Sequence, residues 1–311
     1  MNHIVTTLAL AAALLSSKPA ITAIAVTPDG KGFVFGSQAG VTFRDWDGTS
    51  NQSIATELDN VHSLAFSPDD SRLAVAGGSP AEFGSVELWS WPQRKRVGQL
   101  EGHDDVVYDA VWLGDGKWIV TGSADRTVRV WEAATGKQLA KLAGHSGPVL
   151  CLAISPDGKL LCSGSADATI RVWDTGDWRL VRAMTNHLGP VHGLAFRSMT
   201  DRAPDGERPP AVLASAGGDG TVRIWQPAIG RLVRIVRHPS PVHCLVWDDR
   251  GVLWSGAKDG RLRAIDSENG EVTNERPAGG GCLFTLVASS AAHRLIAGSA
   301  SGEVTVIEPG K

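Results

Sequence analysis

Several ingredients are scarce in this chain of 311 residues, and each scarcity closes a route to function. Charge of one sign is missing: 30 basic residues face 33 acidic ones for a net charge of −3, and the longest basic run is RKR at Arg94 to Arg96. A surface built to neutralise a row of phosphates would carry a basic excess, so no nucleic-acid partner is expected. Cysteine occurs four times (Cys151, Cys162, Cys244, Cys282), with no CxxC, CxxCH or zinc-like spacing, so no metal site is expected from the cysteines. Cys151 and Cys162 flank SPDG symmetrically, and two buried thiols are expected there rather than a disulfide. No nucleophile elbow, HExxH, P-loop or paired acid/base motif is present, which argues against an enzyme and leaves no cofactor to expect. No apolar run is long enough to span a bilayer, so no membrane partner is expected.

One short apolar run needs a separate decision. LALAAALL (Leu8 to Leu15) has the length of a signal-peptide core, with Ala20 near a cleavage point, but no Lys or Arg precedes it. Secretory signals usually begin with positive charge. The chain is therefore expected to be cytoplasmic, with export as the alternative if residues 1–20 are cleaved.

What the chain has in abundance is glycine (36) and tryptophan (11), with 42% hydrophobic residues to supply a core. Many glycines between short apolar runs point to tight turns joining short strands. The tryptophans then expose a period. Trp89, Trp131, Trp173 and Trp225 close near-identical segments at intervals of 42, 42 and 52 residues. The long interval contains RSMTDRAPDGERPP (Arg197 to Pro210), a composition expected of a surface loop. The register continues to Ile265 and Ile307 and back to Asp45, which makes seven copies.

Each copy has one inner grammar. An apolar run (VHSLAF from Val61, VLCLAI from Val149, VHGLAF from Val191) meets a tight turn such as TPDG (Thr27 to Gly30) or SPDG (Ser155 to Gly158). Proline presets the turn and glycine accepts positive φ, so antiparallel strands should meet there. A run of small residues, a turn carrying Asp, a TVRVW-like strand and a more polar fourth strand complete the copy. Four short strands without helical period amount to one small antiparallel sheet, the size of a propeller blade.

With GH at Gly102-His103 and Gly144-His145 and WD at Trp173-Asp174, the sequence resembles the WD-repeat β-propeller family over essentially its whole length. The resemblance weakens at the ends: Asp59-Asn60 stands in place of GH in copy 2, Arg237-His238 in copy 6 and GGG (Gly279 to Gly281) in copy 7. It implies an all-β, seven-bladed propeller in a single domain over 1–311. Blades are expected at approximately 20–58, 59–100, 101–142, 143–184, 185–236, 237–276 and 277–311, with 1–19 as lead-in and closing strand. Stacking buries blade faces that no blade can bury alone. The chain stops after the third strand of the last copy, so Leu8 to Leu15 is expected to supply the fourth and close the ring.

A Ser–His–Asp set resembles a hydrolytic triad. Yet Ser163, His145 and Asp167 recur as Thr121, His103 and Asp125, as Ser215, His187 and Asp219, and as Ser255, His238 and Asp259. An active site is not built four times in one register, and one copy uses Thr. The resemblance implies instead a structural network in which Asp meets His, His meets the hydroxyl, and the hydroxyl meets the indole of Trp131, Trp173 or Trp225. No catalytic residue is expected. The Arg two before each Trp slot (Arg129, Arg171, Arg223, Arg263) is expected to be solvated or packed along its stem.

Function should then sit where the copies differ. The resemblance implies that the residue after each first-strand valine lines the channel mouth: Thr22, His62, Tyr108, Leu150, His192, His243 and, less directly, Leu283. Three of the 9 histidines and the only tyrosine share this one slot. Such rings suit recognition of a peptide side chain. Three histidines could in principle hold zinc, but His62 belongs across the ring from the other two. Phe83, in the lengthened turn GGSPAEFGS (Gly77 to Ser85), should lie on the same face as a possible anchor. The expected function is a non-enzymatic scaffold, monomeric by itself, that binds a protein or peptide. A propeller hydrolase or lactonase, or a metal-binding protein using the channel histidines, is the alternative.

Overall fold

The computed structural model describes residues 18–198 and 210–308. The Leu8–Leu15 segment assigned above to ring closure, and most of the loop before Pro210, lie outside the described residues.

All regular structure in the described residues is β. The first sheet comprises β1 (Ala23–Val26), β2 (Gly32–Ser37), β3 (Gly40–Asp45) and β4 (Asn51–Ile54). The second comprises β5 (Asn60–Phe66), β6 (Arg72–Ser79), β7 (Phe83–Ser90) and β8 (Lys95–His103). Blade 3 has β9 (Val107–Trp112), β10 (Trp118–Ser123), β11 (Val128–Glu132) and β12 (Gln138–Leu142). Blade 4 has β13 (Val149–Ile154), β14 (Leu160–Ser165), β15 (Ile170–Asp174) and β16 (Leu180–Met184). Blade 5 follows with β17 (Val191–Phe196), β18 (Leu213–Gly217), β19 (Thr221–Gln226) and β20 (Arg231–Arg237). Blade 6 is β21 (Val242–Trp247), β22 (Leu253–Ala257), β23 (Arg261–Ile265) and β24 (Val272–Pro277). In the last sheet the described strands are β25 (Leu283–Ser289), β26 (Arg294–Ser299) and β27 (Val304–Ile307).

Every sheet is an antiparallel meander in chain order; apart from the long β17–β18 connection, the strands within a sheet are joined by turns too short for a crossover. The SPDG turn shows the local cause. Ser155 Oγ donates to Asp157 Oδ1 at 2.6 Å and accepts from Leu160 N at 2.9 Å, while Gly158 takes φ 72°. Thr27 and Ser67 repeat this arrangement with Asp29 and Asp69.

The core is divided among the blade interfaces. Val75 and Trp89 pack with Val34 and Val41 between blades 1 and 2, and Ile170 and Val172 pack with Val191 and Trp225 between blades 4 and 5. At the seam, Ile296 of blade 7 packs on Ile21, Ile24 and Phe33 of blade 1, and Ile21 N donates to Ser299 O at 3.0 Å. Inner strands β1, β5, β9, β13, β17, β21 and β25 each touch the next, and β25 touches β1. The result is a seven-bladed β-propeller around a central channel. No sheet has to expose both faces, which is what circular stacking achieves.

The four cysteines are free thiols. Cys151 lies opposite Gly164 and Cys162 opposite Ala153, so the two are offset along the hairpin. Burial pushes the Cys162 and Cys244 thiols far up in pKa and holds them protonated.

Candidate functional site

The repeated His sets occupy the outer half of blades 3 to 5. His145 Nδ1 lies 3.0 Å from Asp167 Oδ2 and its Nε2 lies 2.8 Å from Ser163 Oγ, which accepts the Trp173 indole N–H at 2.9 Å. His103 repeats this with Asp125, Thr121 and Trp131 at 2.8, 2.7 and 2.8 Å. His187 repeats it with Asp219, Ser215 and Trp225 at 3.0, 2.8 and 2.9 Å. An indole can only donate, so the hydroxyl oxygen accepts from Trp and sends its proton to His Nε2. The imidazole then carries its own proton on Nδ1 and gives it to the carboxylate. Every polar atom of this relay is satisfied with a neutral ring. The three histidine side chains are 1% exposed and Ser163 is fully buried; no substrate can reach such a hydroxyl.

The fourth set is a correction. The structure does not bring His238, Ser255 and Asp259 together: neither ring nitrogen of His238 has a partner, and Ser255 Oγ turns to the Arg263 carbonyl at 3.4 Å. Ile265 supplies no indole N–H to the Ser255 hydroxyl, and Asp259 lies closer to its arginine, at 2.6 Å from Arg263, than the 3.3 Å of the same pair in blades 3 and 5.

The arginines also depart from expectation. Arg129, Arg223 and Arg263 are buried and pair with the Asp four residues earlier, at 3.3, 3.3 and 2.6 Å. Arg171, instead, donates to the Gly144 carbonyl at 2.6 Å. Asp and Arg flank one turn of the same hairpin, so the ion pair extends the His network rather than dissolving in solvent.

In the channel, the slot residues line a cavity of about 610 Å³. A register shift in most inner strands, as between Val61 and Ser63, Val149 and Cys151, Val191 and Gly193, and Val242 and Cys244, leaves His62, Leu150, His192 and His243 without a partner across the ladder. Such a bulge aims one side chain away from the sheet, here toward the axis. Tyr108 and Thr22 join the lining. In blade 7 the bulge lies between Leu283 and Thr285. Leu283 therefore fills the buried valine position, and Phe284, 39% exposed, holds the slot. The GGG lead-in had displaced the count by one.

The rings divide into two groups. His62 meets Tyr108 edge-on at 5.1 Å; His192 stacks on His243 at 4.5 Å, and Phe284 meets His243 edge-on at 5.9 Å. Burial lowers the pKa of all three histidines, that of His192 to about 4 with His243 as a secondary cause. The mouth is thus a collar of neutral rings near neutral pH. No group of three or more His, Cys, Asp or Glu among the described residues is placed to hold a metal.

One channel residue escaped the sequence reading. The residue after the slot is small around the ring (Ala23, Ser63, Cys151, Gly193, Cys244, Thr285), except in blade 3, where it is Asp109. The Asp109 carboxylate accepts from Ser63 Oγ, Ala110 N and Leu152 N, each at 2.8 Å, and so ties blades 2, 3 and 4; burial raises its pKa. Asp109→Ala removes the acceptor of the Leu152 N–H, leaves Ala110 N with only its longer bond to Ser63 Oγ at 3.3 Å, and is expected to cost about 1–3 kcal/mol in urea unfolding. A loss below ~0.5 kcal/mol would mean the channel water replaces the carboxylate fully.

Phe83 is exposed on the hairpin joining β6 to β7 and lines a second cavity, described below.

Comparison with known proteins agrees with this geometry. The family model described as "WD domain, G-beta repeat" matches residues 94–132, 136–174 and 178–226. The chain is 32% identical over 87 residues to intraflagellar transport protein 122 homolog of Danio rerio, covering 25% of this chain and 7% of that protein. It is 32% identical over 115 residues to WD repeat-containing protein srw1 of Schizosaccharomyces pombe (35% and 20%). It is 35% identical over 72 residues to WD repeat-containing protein 1 of Xenopus tropicalis (22% and 11%). The matches thus span a fifth or less of these relatives. Three matched repeats, seven sheets in one circle and the Trp–hydroxyl–His–Asp relay in blades 3 to 5 place the chain in the WD40-repeat β-propeller family.

Proposed function

We propose that the chain is a non-enzymatic interaction scaffold that grips a protein or peptide segment at the channel mouth. Likeness to WD-repeat proteins supports the scaffold role in general. What supports the mouth as the grip is its lining: His62, Tyr108, His192, His243 and Phe284 put aromatic and imidazole faces around a cavity of about 610 Å³. That volume is within the range of about 300–1,000 Å³ typical of ligand sites. Neutral imidazoles offer one donor and one acceptor each, and ring faces supply area with little side-chain entropy to lose. His243 Nε2 has no partner, a cost that a bound hydrogen-bonding group would remove. The closed β frame holds these groups in place before binding.

The test is affinity capture with the parent chain and a Tyr108→Ala, His192→Ala, His243→Ala variant. Partners captured by the parent should fall at least about tenfold with the variant, as expected when interface anchors are truncated. Undiminished capture by a variant of unchanged melting temperature would remove the mouth from consideration.

A further inference from the structure

Blade 2 also lacks the His relay, and there a cavity opens where the relay would be. The histidine of blades 3 to 5 sits four residues before the inner-strand valine. In blade 2 that place belongs to Glu57, not to Asp59-Asn60 as the motif alone suggests. The Glu57 side chain is 76% exposed and turns outward to Arg96 at 2.5 Å. Val75 replaces the relay hydroxyl, and Glu87 replaces the arginine and accepts the Trp89 indole at 3.0 Å. The β6–β7 hairpin runs longer than its counterparts, so the turn Asp is gone and Phe83 stands in the open. Ser85, at the place of Thr127, Thr169 and Thr221, then has no turn Asp to meet; it lines the space and accepts from Gln99 Nε2 at 3.4 Å.

That space is a cavity of about 380 Å³ walled by Leu58, Phe83 and Ser85, with Gln99, Glu57 and Glu101 at its edge. Its rim is acidic. Glu57 and Glu101 line it and are exposed, and the exposed Glu82 and Asp104 adjoin its lining residues Phe83 and His103 in the chain. The nearby cations are already engaged, Arg96 by Glu57 and Glu87 and Arg129 by Asp104 and Asp125. An apolar wall inside a negative rim fits one kind of occupant: a large apolar side chain flanked by lysine or arginine.

We propose that this cavity is a second docking pocket, which takes an aromatic side chain from a basic segment of a partner protein. It is separate from the channel mouth and does not depend on it. The aromatic ring packs between Phe83 and Leu58, and the flanking cations meet Glu57 and Glu101.

The probe is the peptide Ac-Lys-Arg-Phe-Arg-Lys-amide with a fluorinated phenylalanine ring, titrated to millimolar concentration and followed by fluorine NMR. Binding should be saturable, weaken at least about fivefold when Ala replaces Phe or when salt is raised well above physiological strength, and vanish with Glu flanks. Gln99→Trp, which fills the cavity, and Glu101→Lys, which inverts the rim, should each weaken it about tenfold or more. The Tyr108→Ala, His192→Ala, His243→Ala variant should bind like the parent. No saturable binding, equal binding of the Ala peptide, or full binding to both Gln99→Trp and Glu101→Lys overturns the pocket. Loss with the channel variant alone overturns it too and assigns the peptide to the mouth.

Discussion

Lowering the pH from about 7 to about 5 is expected to cost this protein several kcal/mol of stability, well before any carboxylate of the relay is protonated. Burial lowers the pKa of His62, His103, His145, His187, His192, His238 and His243, with His192 and His238 down to about 4. In the unfolded chain the same rings titrate near ~6.5. Between those values the unfolded state holds protons that the folded state refuses, so stability falls as pH drops through ~6.5 and levels off below the folded pKa. Each fully shifted ring contributes about 1.4 kcal/mol per pH unit. At pH ~5, His192 and His238 together withhold about 4 kcal/mol, or about half that after allowing for water at their partly open sites. The other five add smaller amounts.

The relay aspartates act in a lower window. Asp219 is held at about 2, and Asp125 and Asp167 also lie well below the usual carboxylate range; hydrogen bonds from His, Thr and backbone N–H outweigh the opposing effect of burial. Their stabilisation is present above ~4 and disappears as pH falls toward the folded value. Urea midpoints should therefore decline in two steps, the first between about pH 6.5 and 4. A His192→Leu, His238→Leu variant should flatten the first step and leave the second in place. A midpoint that is level from about pH 7 to 5 in the parent would mean these rings are charged in the folded chain.

The blade count was legible because a tryptophan recurs near the end of the third strand: Trp89, Trp131, Trp173 and Trp225 mark a register that Ile265 and Ile307 keep by size alone. The relay was legible in blades 3 to 5 for the same reason, since a repeated hydroxyl, His and Asp can only repeat if the backbone does. What escaped reading depends on one neighbour or one inserted residue. His238 has the right place in the chain, but Ile265 supplies no indole N–H to Ser255. The count through GGG points to Leu283, and only the bulge register moves the slot to Phe284. Asp109 is a different case. It is the one charged residue in a tier of small ones, a signal carried by the sequence itself. Glu57 was hidden because Asp59-Asn60 resembles a worn GH more than a glutamate does.

The contrast between His145 and His238 leads to the second large effect. His145→Ala removes two hydrogen bonds in a buried site. Ser163 then loses its acceptor, Asp167 loses a hydrogen-bond partner, and a ring-sized void opens. A loss of about 2–4 kcal/mol is expected. His238→Ala removes a ring whose nitrogens bond to nothing, so packing is its only contribution and the loss should stay below ~1 kcal/mol. His103, His145 and His187 lie in separate blades with no shared partner, and their costs should add. The triple alanine variant would then lose about 6–12 kcal/mol, comparable with the whole stability of an ordinary domain, ~5–15 kcal/mol. It should unfold without denaturant while each single variant folds. Measured at neutral pH, equal losses for His145→Ala and His238→Ala would reduce the relay to mere space-filling. A folded triple variant would show that circular stacking alone holds the ring.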